Sequence, residues 1–351
     1  MLDVEAPRSG VIGTRTRARI HKAAGSTFNI QHPTSNVQRE VACFDFFLQT
    51  KPHPPMNRRT FLATTTALAA SAVFSSAEDA AKKRPKLKKA VNLGMAGGVK
   101  GSVTDKFKAI RDAGFDGIEL NLPGELTVDQ ILEAKSASGL EIAGIICTPH
   151  WSFPLSSPDP AKRERTVNGL NLALKQGGEI GCKRVLLVPG TVEKDVTYEQ
   201  CWTRAIEGIK RCTETAEKSK CAIAVENVWN RFINEPVAAK RFIEEINSPW
   251  VGWHFDVGNC ITFGWPEHWV RTLGKHIFNL HIKEYSRKQR DKSGPGAGFG
   301  VELMEGDNDW PAVMKALDEI GYEGYGILEV RGGDAERLKF LAERTDKIFA
   351  S

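Results

Sequence analysis

From Lys89 to the C-terminus, short apolar runs alternate with helix-length amphipathic stretches, eight times over. No other feature of the 351-residue chain restricts its fold as strongly. Strands are predicted at 90–96, 117–122, 141–147, 184–189, 222–228, 251–257, 277–283 and 325–330. Helices are predicted near 102–114, 127–139, 160–180, 197–219, 235–247, 266–275, 309–321 and 333–349. Ser102 and Thr127 suit N-caps, Pro236 and Pro311 suit first turns, and Gly114, Gly139 and Gly321 suit helix ends. Continuous apolar strands in strict alternation with helices imply a parallel sheet covered by helices. Eight such units in ~260 residues match an α/β fold of the (β/α)8 TIM-barrel type, whose usual size is ~250 residues. A doubly wound open sheet would call for a glycine-rich phosphate turn after the first strand. Gly94-Met95-Ala96-Gly97-Gly98 does not fit that G-x-G-x-x-G pattern.

Charge is unevenly placed. The chain carries a net +5, and residues 1–77 hold nine Lys/Arg against four Asp/Glu, so 78–351 balances at 39 of each sign. A neutral body argues against a nucleic-acid partner, because phosphate backbones are bound by clustered positive charge. No apolar run reaches the ~18–20 residues of a membrane span, so no stable membrane anchor is expected. Residues 56–77 read as an export signal instead. Arg58-Arg59 precede Phe61-Leu62, an acid-free apolar stretch continues to Phe74, and Ser75-Ser76-Ala77 offer small residues for cleavage. The pair resembles a twin-arginine signal, which implies a periplasmic or otherwise exported protein, and a cytoplasmic one if the signal is not used. Residues 1–55 sit upstream of a signal that belongs at a terminus. They are expected to be disordered or to precede the true start at Met56. Residues 78–88 then form a basic linker, and 89–351 the catalytic barrel. Six of the seven cysteines lie in that body without a C-x-x-C pair, so buried free thiols are expected.

Barrel strands deliver their C-terminal ends to one face, and that face carries the chemistry. Polar residues interrupt the apolar runs there: Glu119 in the second strand, His150 after the third, Glu226 in the fifth, Asp256 in the sixth, His281 in the seventh and Glu329 in the eighth. Buried charge without a partner is costly. Three carboxylates and an imidazole from consecutive strands, Glu226, Asp256, His281 and Glu329, would repel unless a divalent cation joined them. The donor set suits Mn²⁺, Mg²⁺, Co²⁺ or Zn²⁺. Glu119 and His150 are candidates for binding substrate hydroxyls, or for pairing with loop residues. His254 shares the face of Asp256 by the period of two, as a supporting or a core residue. Trp151, Phe153 and Trp229 follow strands and suit either a sugar face or core packing. The longest break, 286–308, follows the seventh strand and is expected on the active-site face. Its Arg287, Lys288, Arg290 and Lys292 are phosphate candidates or a solvated surface.

At these residues the chain resembles the sugar phosphate isomerase/epimerase superfamily, the xylose isomerase-like barrels. It looks closest to the branch of L-ribulose-5-phosphate 3-epimerases and hexulose-6-phosphate isomerases. The matching stretches are Gly114-Phe-Asp-Gly-Ile-Glu119, the His150 segment, Glu226-Asn227, Asp256-Val-Gly-Asn259, His281-Ile-Lys283, Gly306-Asp-Asn-Asp-Trp310 and Gly321-Tyr-Glu-Gly-Tyr-Gly-Ile-Leu-Glu329, spanning roughly 90–335. The resemblance implies one divalent metal on Glu226, Asp256, His281 and Glu329, with Glu226 and Glu329 also moving protons. It implies substrate contacts from Asn259 and Lys283, and the Asn at 259 points to the phosphoketose side of the family. The expected partner is a small sugar or sugar phosphate, and the expected chemistry is proton transfer through a cis-enediolate. A metal-dependent lyase or dehydratase on a keto-sugar or inosose would use the same groups, and a non-catalytic sugar-binding barrel is the reading from another class. The sequence leaves the oligomeric state open, a homo-oligomer included.

Overall fold

The computed structural model describes residues 87–351, which belong to a single unit, Asp79–Ser351. The expectations for 1–55 and for the twin-arginine signal at 56–77 lie outside the described residues. Eight parallel strands close into a barrel in the order of the chain. They are β1 (Lys88–Asn92), β2 (Gly117–Leu122), β3 (Glu141–Cys147), β4 (Arg184–Leu187), β5 (Ala222–Glu226), β6 (Val251–Asp256), β7 (Ile277–Ile282) and β8 (Tyr325–Leu328). Closure comes from β1 on β8, with Ala90 opposite Ile327. The expected (β/α)8 barrel is therefore the observed fold. Among the described residues, no helix is long and apolar enough to cross a membrane.

The helices form where caps and apolar spacing agree. Ser102 opens α1 (Val103–Asp112) and Thr127 opens α2 (Val128–Ser138), each with a full capping box. The remaining helices are α3 (Pro160–Ile180), α4 (Tyr198–Lys210), α5 (Thr213–Ser219), α6 (Pro236–Ile246), α7 (Pro266–Leu273), α8 (Arg287–Ser293), α9 (Trp310–Glu319) and α10 (Ala335–Phe349). Pro236 and Pro311 stand in first turns, and Gly139 closes α2 in the left-handed conformation (φ 70°). The single helix expected over 197–219 is two. The chain breaks at Arg211-Cys212, where the Cys212 thiol turns to the carbonyls of Gly208 and Val167. All six body cysteines are buried and free, as expected.

Several strands stop short of their apolar runs, because the next polar group leaves the ladder. The β1 ladder ends at Asn92, whose side chain accepts from the Gly94 N–H and starts a short 3₁₀ turn, Leu93–Ala96. After β4, the Val188 N–H donates to His150 Nδ1 (3.2 Å) rather than to a neighbouring strand. The segment 286–308 is not structureless. It contains α8 and a 3₁₀ turn, Pro295–Phe299, and it is pinned by Glu284. This buried carboxylate accepts from the Met304 N–H (2.8 Å), Trp310 Nε1 (2.9 Å), and the N–H groups of Tyr285 and Asn308 (both 3.3 Å). Sequence patterning gave no reason to single it out.

Two outcomes follow from these contacts. Glu284→Ala orphans four donors, and each bond to a charged group is worth about 1.5–3 kcal/mol, so it should lower stability by roughly 3 kcal/mol. It should also open 286–308 to protease, which limited proteolysis measures; unchanged cleavage there would refute the staple. His150 offers a second handle. Burial lowers its pKa to about 4, while in an unfolded chain an imidazole titrates near ~6.5. Its contribution is complete above about pH 6.5 and is lost as pH falls through about 4. The urea midpoint should fall across that window in the natural protein, and less in His150→Gln, whose amide oxygen can still accept from Val188.

Candidate metal and proton-transfer site

Register brings the polar strand ends to one level. Glu226 lies opposite His254, and Asp256 opposite His281. Glu329 follows β8 directly, and its N–H donates to the Ile282 carbonyl (3.2 Å). Glu226, Asp256, His281 and Glu329 thereby place ligand atoms within 4.8 Å of one another. His281 is the hub. Its Nδ1 lies 2.8 Å from Glu226 Oε1, 3.4 Å from Glu329 Oε2 and 3.9 Å from Asp256 Oδ2.

A second group stands behind this one. Glu119 is fully buried and reaches His281 Nε2 through Oε2 (3.3 Å), the same oxygen that accepts from Asn92 Nδ2 (3.2 Å). With a cation bound, a proton kept on Nε2 and directed at Glu119 would leave the Nδ1 lone pair for the metal, the usual orientation of a metal-bound imidazole. An ideal Cβ at Gly144 would stand 3.0 Å from Glu119 Oε1, so a glycine there keeps room for the carboxylate. Glu119 does not border the cavity, and its expected contact with substrate is corrected on that ground: it backs His281. His254 is buried and meets the His281 ring edge-on, with centroids 4.1 Å apart.

Loop backbones are tied into the same layer by two asparagines: Asn227, which sequence reading did not rank as a site residue, and Asn259, which the resemblance gave to substrate. Asn227 Oδ1 accepts from the Asp256 N–H (2.9 Å) and Trp253 Nε1 (3.1 Å), while its Nδ2 donates to the Asp256 carbonyl (2.8 Å). Asn259 donates its N–H to Asp256 Oδ1 (2.7 Å) and its Nδ2 to the Asn227 carbonyl (2.9 Å). For Asn227 the prior signal was its place in the Glu226-Asn227 stretch, directly after an expected ligand.

Burial and mutual charge set the protonation states. Burial raises Glu226 to about 7 and also raises Asp256. Burial pulls His281 down, but the carboxylates of Glu119, Glu329 and Glu226 outweigh it and hold the imidazole well above its usual range. Burial likewise opposes ionisation of Glu329, and the neighbouring His281 and Lys283 charges override it. Lys283 Nζ stands 2.9 Å from Asp256 Oδ2 and 2.5 Å from Glu329 Oε2. Two buried carboxylates and a half-exposed third that draw in an imidazolium and an ammonium make a cluster built for positive charge. Three oxygen donors and one nitrogen, with ligand atoms within 4.8 Å of one another, fit a divalent cation.

The cluster borders a cavity of about 270 Å³. Glu226, His281, Glu329, Asn259, Lys283 and His150 face it, so these expected site residues share one space, whereas Asp256 lies beneath it. Trp151, Trp229 and Phe299 form much of the remaining wall. Phe153 does not; it packs under Arg165, 4.7 Å from the ring. His268 and His276 stand away from the cluster.

Comparison with known proteins agrees with this architecture. An Escherichia coli (strain K12) protein whose assignment as an L-ribulose-5-phosphate 3-epimerase is provisional is 27% identical over 201 residues, 57% of this chain and 70% of that one. A solved D-tagatose 3-epimerase-like protein superposes with a TM-score of 0.64 at 21% identity, covering 75% of this chain and 98% of its own. The structure of an IolI protein with a bound zinc atom superposes with a TM-score of 0.61 at 17% identity, covering 75% and 98%. At these identities the superpositions speak for the fold. The family model described as the xylose isomerase-like TIM barrel matches residues 107–346, most of the chain, and the protein belongs to that family.

Proposed function

We propose that this protein is a divalent-metal-dependent sugar epimerase or isomerase that moves a proton on the carbon beside a carbonyl, through a cis-enediolate. One observation carries the reading. Glu226 and Glu329, from strands far apart in sequence, meet at His281 Nδ1 on the wall of one cavity. A carbon acid beside a carbonyl is weak, and inverting it needs one group to remove a proton and another to return one. Two carboxylates on a shared wall supply that pair, and which acts first depends on the face that carries the hydrogen. Glu226, Asp256, His281 and Glu329 would hold the cation, which supplies the charge that acidifies the carbon. Glu119 keeps Nδ1 of His281 turned to the site, and Asn227 and Asn259 keep the Asp256 backbone fixed. Lys283 and the His150 ring face the cavity and are placed to donate to substrate oxygens. The epimerase names among relatives support the reaction class, and the zinc reported in a protein of the same fold supports the metal. Export by the twin-arginine route stays part of the proposal, resting on Arg58-Arg59 and the apolar stretch after them.

Metal analysis of the purified protein should find about one divalent ion per chain, lost in His281→Ala. Incubation with ketoses in deuterated water should place label beside the carbonyl. Glu226→Gln and Glu329→Gln should each slow that exchange about 10²–10⁴-fold. Exchange at the natural rate in both variants would remove the two glutamates from the mechanism.

A further inference from the structure

The cavity wall carries information about the substrate beyond its reacting carbon. A phosphorylated sugar needs a cradle of arginine, lysine or free backbone amides. Of the cationic side chains among the described residues, Lys283 is the one that faces the cavity besides the histidines, and it is held between Asp256 and Glu329. The two arginines of 286–292 are committed to other partners. Arg287 donates to the Gly264 carbonyl, and Arg290 to Thr262 Oγ1 and Asp291.

The turn after β8, a frequent phosphate seat in barrels of this kind, is also closed. The Gly333 N–H donates to the Met95 carbonyl, and the Gly333 carbonyl accepts from the Gly98 N–H. The Asp334 carboxylate caps the first turn of α10, where a phosphate would otherwise sit.

Aromatic rings supply much of the wall instead, and the one cavity-facing ammonium, Lys283, lies over the Phe299 ring, 5.3 Å from its centroid. Trp151 lies on one part of the wall, 57% exposed. Trp229 and Phe299 lie on another, their centroids 5.0 Å apart. The Trp229 ring is fixed by Nε1 donating to the Asn259 carbonyl (2.9 Å). The aromatic surface then continues past the cavity to Phe263, 6.2 Å from Trp229 and 58% exposed. Ring faces bind the C–H faces of sugars and exclude strongly hydrated anions. A platform that runs outward from the reacting centre has more surface than one sugar ring covers.

We infer that the substrate is an uncharged ketose bearing a second, O-linked ring, which lies on the aromatic platform of Trp151, Trp229, Phe299 and Phe263. This rests on the epimerase or isomerase reading above, since that reading places the carbonyl end at Glu226 and Glu329. It departs from the phosphoketose substrate that Asn259 implies by resemblance.

Fructose, fructose 6-phosphate and 6-O-glucosylfructose differ only in what O6 carries: hydrogen, phosphate or a neutral ring. Their binding to the full chain loaded with Mn²⁺ is read by tryptophan fluorescence titration, and their enolisation separately by deuterium exchange. The glucosyl compound should bind at least about tenfold tighter than the phosphate, a ratio one good ring contact supports. That advantage should fall to near unity in Trp151→Ala and Phe263→Ala, both exposed positions whose loss leaves the core intact. Equal or tighter binding of fructose 6-phosphate would overturn the proposal, as would an advantage that survives both substitutions, or a second copy of the chain found covering the platform. Label entering none of the three sugars while the binding order holds would instead refute the enolisation reading and leave the platform standing.

Discussion

Everything at the heart of this barrel answers to one electrostatic problem: three carboxylates, two of them buried, crowd around a single buried imidazole. Glu226 and Asp256 are buried, so their repulsion is weakly screened. The structure answers with positive charge. His281 and Lys283 sit among the carboxylates, and the donor set as a whole has the oxygen-rich composition of a divalent cation site.

The supporting layer keeps that cluster from relaxing. Glu119 holds His281 from behind, so the ring cannot rotate without losing a charge-assisted bond. Asn227 bridges the ends of β5 and β6 with three hydrogen bonds, and Asn259 closes the loop that follows. Glu284 does the same for the long segment after β7, whose Phe299 ring reaches the cavity. The chemistry rests on short strand ends, and its rigidity comes from polar side chains that fasten loop backbone to barrel.

Much of this was readable in advance, for a specific reason. A buried parallel strand is apolar on both faces, so a Glu, Asp or His inside such a run stands out at once. Glu226, Asp256, His281 and Glu329 were each visible in that way, and strand order placed them side by side. Glu119 was equally visible as an interruption, but its layer was not. The β2–β3 register shifts between Ile118 and Glu119, and the β6–β7 register shifts between Trp253 and His254. Such irregularities arise from packing around the closed barrel, and no periodicity in one strand announces them. Glu284 was hidden because its acceptors' partners, at 304, 308 and 310, are brought to it only by the folding of a segment without pattern.

Local composition, read along the chain, determined the number of strand-helix units, their order, the closed parallel barrel and the identity of the charged strand ends. These follow from hydrophobic period, caps and turn residues, which act over a few positions. Tertiary structure alone decided which charged groups face the cavity and which stand behind, where cations are committed, and which aromatic rings line the mouth. Those outcomes depend on register and on contacts between residues more than a hundred positions apart, such as Glu119 with His281. The energy of such contacts exists only once the barrel has closed.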